Sequence, residues 1–209
     1  MNDFNSIVIN TRCTVILNYG DCSACTIDES DEKVNWINVS VRNGELTIYT
    51  KPNYYGYLLM HGCYPKVTVT FNKLNALKMQ DRCFVKSAKQ LILQQLGITV
   101  REGRLEIGVE ASYIDCTVLK GGYVKIYGET IISRVLMYHK SIYEGANLTA
   151  SEGQIHVHDE GKASVCVTDE LELGMYGQGK LTYRGDPKMR ILQINKGSAL
   201  KQIKTSTVT

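Results

Sequence analysis

Leu105-Glu106-Ile107-Gly108 and Ile155-His156-Val157-His158 open two copies of a short β-type segment that recurs through most of the chain. From Leu74 onward the segment restarts at short intervals, near Leu74, Leu91, Leu105, Val124, Ile155, Leu171 and Met189. In a solenoid each repeat forms one turn, or coil, of the chain. A coil this short cannot bury its apolar face unless the next coil stacks on it, so closely repeated strands favour a stack of coils. The sequence therefore predicts an all-β protein of the β-solenoid class.

The N-terminal part is predicted to contain strands and hairpins. Residues 5–18 alternate apolar and polar side chains, Tyr19-Gly20-Asp21 marks a turn, and residues 22–28 return. Asn43-Gly44 is the strongest hairpin signal in the chain, and it separates predicted strands at 34–41 and 45–50. We predict one domain over 1–209, with N-terminal hairpins over 1–71, stacked coils over 72–204 and a polar tail over 205–209.

The interior of the predicted stack is expected to hold one continuous ladder of apolar side chains. Each inward side chain of a solenoid stacks on its neighbours in the adjacent coils. The second apolar residue of a restart is predicted to occupy this ladder, as for Ile92, Ile107, Ile126, Val157 and Leu173. Many glycines fall between the restarts, where corners need positive φ or close backbone approach.

Composition excludes several classes of partner. The formal net charge of +3 is too small to indicate nucleic-acid binding. No stretch reaches the ~20 apolar residues that a membrane helix needs, and the start lacks the pattern of a secretory signal. Seven cysteines, an odd number without compact spacing, favour free buried thiols over a disulfide scaffold. Free thiols favour a reducing compartment and leave a cytoplasmic location as an alternative.

Four stretches together resemble the head GIN domain family of putative auto-transporter adhesins. They are the opening 4–7, the hairpin 43–49, the closing Leu181-Thr182-Tyr183-Arg184-Gly185-Asp186-Pro187, and residues 195–203. The resemblance covers nearly the whole chain, although the corner turns at 109–112 and 143–146 and the many cysteines depart from the family pattern. It implies a right-handed, single-stranded β-helix-like body, a cell-envelope or extracellular location and an adhesin-like role. It brings no catalytic residues.

A tyrosine-rich loop is the predicted ligand-binding site. Residues 53–57 carry Tyr54, Tyr55 and Tyr57. Rigid tyrosine rings with solvated hydroxyls suit recognition of a glycan or a surface protein. The alternative is that these rings cap the end of the solenoid, and exposure separates the two interpretations because capping rings would be buried.

Two histidines and a cysteine pair are candidate metal ligands. His156 and His158 lie two residues apart, so a strand directs both to one face, where a third ligand from an adjacent coil would complete a metal site. If Val157 is inward, both histidines face solvent. Cys22-Ser-Ala-Cys25 has the spacing of a zinc half-site but lacks a second pair of ligands. We predict no metal and no cofactor.

The tripeptide Arg184-Gly185-Asp186 has the sequence that integrins bind. Gly185 and Pro187 are the residue types that a turn requires, so we interpret these residues as an ordinary turn rather than as an integrin site.

Carboxylates on neighbouring coils are candidates for polysaccharide cleavage, which needs two of them roughly 5 to 9.5 Å apart. The candidates are Glu106 with Lys125 nearby, and Glu170 or Glu172 beside Asp159. None forms a dense acidic cluster, so we predict that the protein is not an enzyme.

The predicted function is a non-enzymatic surface or envelope-associated binding or structural module, adhesin-like, without membrane insertion. A carbohydrate-binding or polysaccharide-cleaving β-helix is one alternative. A cytosolic scaffold that forms homo-oligomers through its coil ends is the other, because the open ends of such a stack expose edge strands.

Overall fold

A computed structural model describes residues 2–28, 36–54, 56 and 65–203. The described residues are mostly strands and turns, with a 3-10 turn at Pro52–Tyr54. The strands are β1 (Ser6–Asn10), β2 (Thr14–Tyr19), β3 (Ala24–Ile27), β4 (Ile37–Arg42), β5 (Glu45–Thr50), β6 (Lys66–Phe71), β7 (Ala76–Met79), β8 (Phe84–Ser87), β9 (Leu91–Val100), β10 (Arg104–Val118), β11 (Tyr123–Met137), β12 (Ile142–Asp159), β13 (Lys162–Gly177), β14 (Lys180–Arg184), β15 (Lys188–Ile194) and β16 (Ala199–Gln202). The predicted all-β solenoid is confirmed. Among these residues no helix is long and apolar enough to cross a membrane.

Successive coils are stacked in parallel with a regular register. Equivalent positions on the later coils are Arg104, Tyr123, Ile142, Lys162, Lys180 and Ala199, so one coil is the stretch from each of these residues to the next. Each coil has several sides, which we call walls. At several points the restarts predicted from sequence are separated by fewer residues than one coil contains, because successive restarts lie on different walls. Leu105 opens one wall, for example, whereas Leu171 belongs to another, since it pairs with Met189 in the middle of a coil.

The core is a column of apolar side chains enclosed by the coils, but it is not the single ladder predicted from sequence. Ile107 and Ile126 are buried and paired as expected. Val157 instead pairs with Met137 and Met175 on another wall. Ile92 points outward and is 61% exposed. Because Leu91, Ile92 and Leu93 are all apolar, the sequence did not reveal which of them points inward, and in the structure Leu91 does.

The first strands already belong to the parallel stack, so the coils do not begin at residue 72 as predicted. β1 lies between β5 and β7, and β2 lies between β6 and β8, all in parallel pairs. The coil that contains β5 and β6 is therefore outermost at this end, although the chain passes through β1 and β2 first. Spatial order differs from chain order because strand pairing joins segments far apart in sequence.

One predicted hairpin is confirmed and the other is wrong. β4 and β5 pair in antiparallel fashion around Asn43 (φ 50°) and Gly44 (φ 75°), the positive φ values of a tight hairpin turn. After the turn at 19–21 the chain does not return along β2. β3 pairs instead with β6, also antiparallel. β3 and β4 thus cover the two outermost strands at the N-terminal end of the stack.

The C-terminal end of the stack has no corresponding cover among the described residues. β15 pairs only with β13, and β16 pairs only with β14. The outer edges of β15 and β16 are therefore free of strand partners within the described part of the chain.

Candidate binding surfaces

The tyrosine loop is described only in part. Tyr54 ends the 3-10 turn and is half-buried, and its ring stacks on Trp36 with ring centroids 6.1 Å apart and planes at 20°. This contact is the packing expected of a capping residue. Tyr55 and Tyr57 lie outside the described residues, so their predicted role in ligand binding stays a prediction.

The two histidines lie on the outer face of their strand, because Val157 between them is fully buried. The ring of His158 is stacked between Tyr138 and Tyr176 of the adjacent coils, with centroid separations of 4.6 and 4.7 Å. The Nε2 atom of His156 lies 3.6 Å from Oε1 of Glu172. Among the described residues no group of three or more His, Cys, Asp or Glu side chains could hold a metal ion. The histidines therefore contribute to an aromatic column.

Protonation of His158 is expected to weaken the fold. Burial between the two tyrosine rings lowers the pKa of His158 below its ordinary value of 6.5, as does His156, whereas the Asp159 carboxylate opposes the shift. The pKa of His158 is lower in the folded than in the unfolded state. The neutral ring therefore contributes fully to the free energy of unfolding above pH 6.5, and its contribution declines as the pH falls below that value.

The measurement is the urea midpoint at about pH 7.5 and about pH 5. We expect His158→Phe, which keeps a planar ring without a titrating group, to lose less stability over this interval than the unmodified protein. Equal losses in the two proteins would contradict this assignment.

The cysteine pair and the Arg-Gly-Asp tripeptide have structural explanations. Cys22 is exposed, whereas Cys25 packs against the core, and burial raises the pKa of the Cys25 thiol to about 11. A thiol protonated at neutral pH is a poor metal ligand and nucleophile. Gly185 (φ 95°) lies in the connection between β14 and β15, where a Cβ atom would overlap the carbonyl oxygen of Val167. Glycine is thus required there by the backbone.

The candidate catalytic carboxylates are engaged in ion pairs or lie too far apart. We call two residues that are paired across adjacent coils lateral neighbours. Glu106 contacts Arg104 and is the lateral neighbour of Lys125. Glu172 pairs with Arg190 at 2.8 Å. Glu172 is level with Gln154, which lies five residues before Asp159 on β12, or roughly 16 Å along the strand. The predicted proximity of Glu172 to Asp159 is therefore wrong, because the register offsets them along the coil.

A surface that sequence reasoning missed lies on the side of the solenoid. We call it the corner groove; it encloses about 370 Å³ and is lined by Ile92, Leu93, Glu110, Ala111, Ser112, Glu129, Thr130, Ile131 and Ser151. Ile92 and Ile131 are 61% and 55% exposed. Ile92, Glu110 and Glu129 are lateral neighbours on three successive coils. Apolar side chains and two carboxylates therefore share one concave surface.

The exposed ring of Tyr127 packs on the neighbouring coil and does not line the groove. Tyr127 lies two residues before Glu129 and across from Gly108 on the neighbouring coil. A Cβ atom on Gly108 would lie 2.6 Å from Cε2 of the Tyr127 ring, so one edge of the ring rests on bare backbone. The absence of a side chain on Gly108 gives this ring its space.

Neither of the two groove carboxylates is paired with a cation of the described residues. No ion pair joins Glu110 or Glu129 to another described residue. Elsewhere opposite charges are lateral neighbours, as in the series Lys86, Glu106, Lys125 and Glu144. Like charges opposite each other on adjacent strands destabilise a sheet. The described strands contain two other like-charged pairs, Glu152 with Glu170 and Lys162 with Lys180, but neither pair lines the corner groove.

Comparisons with known proteins agree with this architecture. The family model for "Putative auto-transporter adhesin, head GIN domain" matches residues 3–187. A putative adhesin from Bacteroides fragilis superimposes with a TM-score of 0.83 at 19% identity, over 97% of this chain and 93% of that one. A putative adhesin from Parabacteroides distasonis gives 0.75 at 17% identity, over 97% and 94%.

A third solved structure carries a different functional name. It is a putative lipid binding protein from Parabacteroides distasonis, with a TM-score of 0.67 at 16% identity, over 97% of this chain and 94% of that one. At these identities the neighbours show the fold alone. No curated protein sequence matches the chain.

Proposed function

This chain belongs to the head GIN domain family of putative auto-transporter adhesins, and we propose that it is a non-enzymatic, adhesin-like binding module at the cell envelope or outside the cell. The corner groove is the proposed recognition surface. Its proposed occupant is a protein segment that presents a lysine or arginine side chain next to apolar residues. The stacked coils form a rigid support for such a surface because every strand around the groove is hydrogen-bonded to its neighbours.

The observation that carries this proposal is the uncompensated pair Glu110 and Glu129 beside exposed isoleucines. A like-charged pair costs stability, and a cationic ligand would remove that cost on binding. Ile92 and Ile131 would lose their contact with water in the same event, which is favourable by roughly 25 cal/mol per Å² of apolar surface. Electrostatic and apolar contributions thus favour the same class of ligand.

A protein segment fits the corner groove better than a glycan does. The two exposed large apolar side chains that line the groove are isoleucines, which offer no flat ring for a sugar to stack on. A lysine or arginine side chain has an apolar stem that can pack on Ile92 or Ile131 while its charged end reaches the carboxylates.

The test is an array of extracellular-matrix proteins, basic peptides and glycans, probed with the unmodified chain and with Ile131→Asp. We expect saturable binding to basic protein ligands, weakened about tenfold or more by Ile131→Asp, because the change removes the apolar side chain on which the ligand packs. The matched control is Ile191→Asp, since Ile191 is 53% exposed but lies on β15, outside the groove.

Binding that Ile191→Asp impairs as much as Ile131→Asp would contradict the groove as the recognition surface. Binding to glycans alone would contradict the proposed ligand class. The tyrosine loop remains a second proposed contact surface for a glycan or surface protein, and Tyr55→Ala with Tyr57→Ala tests it on the same array. Tyr54 is left unchanged in that variant because of its stacking on Trp36.

A further inference from the structure

The C-terminal coil exposes the last layer of the apolar core. Met189, Ile191, Ile194 and Leu200 pair with the inward residues Leu171, Leu173, Met175 and Leu181 of the preceding coil. Those four inward residues are fully buried, whereas Ile191 and Ile194 are 53% and 40% exposed. We call the exposed surface of β15 and β16 the terminal face. Solenoids need a cap at each end because an uncovered coil leaves its apolar side in water.

No strand among the described residues covers this face. Four of the eight large apolar side chains exposed among the described residues belong to the terminal coil: Ile191, Leu192, Ile194 and Ile203. Residues 204–209, Lys-Thr-Ser-Thr-Val-Thr, contain a single apolar side chain, Val208. One valine cannot replace the apolar neighbour that each buried coil has on both sides.

We infer that the terminal face binds the terminal face of a second copy of this chain, forming a twofold symmetric dimer. The opposite end of the stack is not a matching partner, because β3 and β4 cover it and neither strand presents an exposed large apolar side chain. A self-complementary apolar surface with free strand edges is the usual basis of an isologous interface.

The charges around the terminal face determine how salt acts on the dimer. Lys188, Arg190, Lys196 and Lys201 are exposed on or between β15 and β16. Glu172 neutralises Arg190 at 2.8 Å, and Glu170 is the lateral neighbour of Lys188. Antiparallel pairing of the two β15 strands about Ile191 directs Lys188 of one copy towards Ile194 of the other. Residual repulsion between the lysines is screened by salt, so the dimer tightens as salt rises.

The experiment is sedimentation velocity on the chain from about 1 µM to about 200 µM, at about 50 mM and about 500 mM NaCl. We expect a monomer–dimer equilibrium that shifts towards dimer at the higher salt concentration. Ile191→Asp is expected to weaken association at least about tenfold, because it places a charge at the centre of the interface. Circular dichroism on each variant checks that the fold is retained.

Ile131→Asp is the matched control, because Ile131 is equally exposed but lies in the corner groove. We expect it to dimerise like the unmodified chain. A monomer at every concentration and salt would overturn the inference, as would a dimer that Ile191→Asp leaves intact. A dimer that Ile131→Asp disrupts would assign the interface to the groove and would also overturn it. Array binding, measured at a concentration at which the chain is monomeric, reports separately on the proposed recognition function, so the two proposals fail independently.

Discussion

Gly128→Ala is expected to destabilise the protein by about 3–4 kcal/mol and to lower Tm by roughly 6–16 °C. Gly128 has φ 118°, a conformation that residues with a Cβ atom rarely adopt. A Cβ atom here would also overlap the carbonyl oxygen of Val109 on the adjacent coil. Because that carbonyl belongs to the paired strand β10, it cannot move without disturbing the strand pairing.

Gly121→Ala is the matched control. Gly121 also has a positive φ, 81°, but no heavy atom lies within 4 Å of the position its Cβ would take. The substitution should therefore cost only the backbone strain of about 1–2 kcal/mol. Thermal unfolding followed by circular dichroism compares the two variants. Equal losses at Gly121 and Gly128 would contradict the close approach of the two coils beside the groove.

Local turn chemistry made one part of the N-terminal region predictable from sequence. Asn43 and Gly44 both adopt positive φ, which is why the pair specified the β4–β5 hairpin without any distant contact. The partner of β3 could not be predicted in the same way. Its pairing with β6 joins segments that are far apart in sequence, and nothing near residues 22–28 identifies β6 as that partner.

The corner groove was missed because its residues come together only through the coil register. Glu110 and Glu129 are separated by one full coil, the same interval that separates Arg104 from Tyr123. A sequence repeat of that length predicts that the two carboxylates lie side by side. The restarts identified from sequence did not have a constant length, because they lie on different walls of the coil. Ile92 was assigned to the interior for a related reason, since its two neighbours are also apolar.

The two proposed surfaces predict opposite responses to ionic strength. Binding of a cation by Glu110 and Glu129 should weaken as salt screens the attraction, whereas association through the basic terminal face should strengthen. Array binding and sedimentation on the same preparation can therefore separate them without any mutation. If higher salt concentration strengthened both ligand binding and dimerisation, or weakened both, the proposed role of charge at one of the two surfaces would be wrong.

Glu110→Lys is expected to weaken ligand binding strongly while it stabilises the fold. The new lysine would face Glu129 on the next coil and convert a repulsive pair into an attractive one, which should raise the unfolding free energy by about 0.2–1 kcal/mol. The same charge would occupy the position proposed for the ligand's cation. We expect affinity for a basic protein ligand to fall about 10- to 100-fold, measured by titration alongside urea unfolding.

Glu152→Lys separates the effect on the ligand from the effect on the fold. Glu152 also has a like-charged lateral neighbour, Glu170, but does not line the corner groove. Its reversal should bring a similar gain in stability and leave ligand affinity unchanged. If both lysine variants lost affinity equally, the loss would reflect the net charge of the protein. If Glu110→Lys destabilised the fold, the carboxylate would be stabilising the native structure, and the proposed cost of leaving it unpaired, on which the ligand class depends, would be wrong.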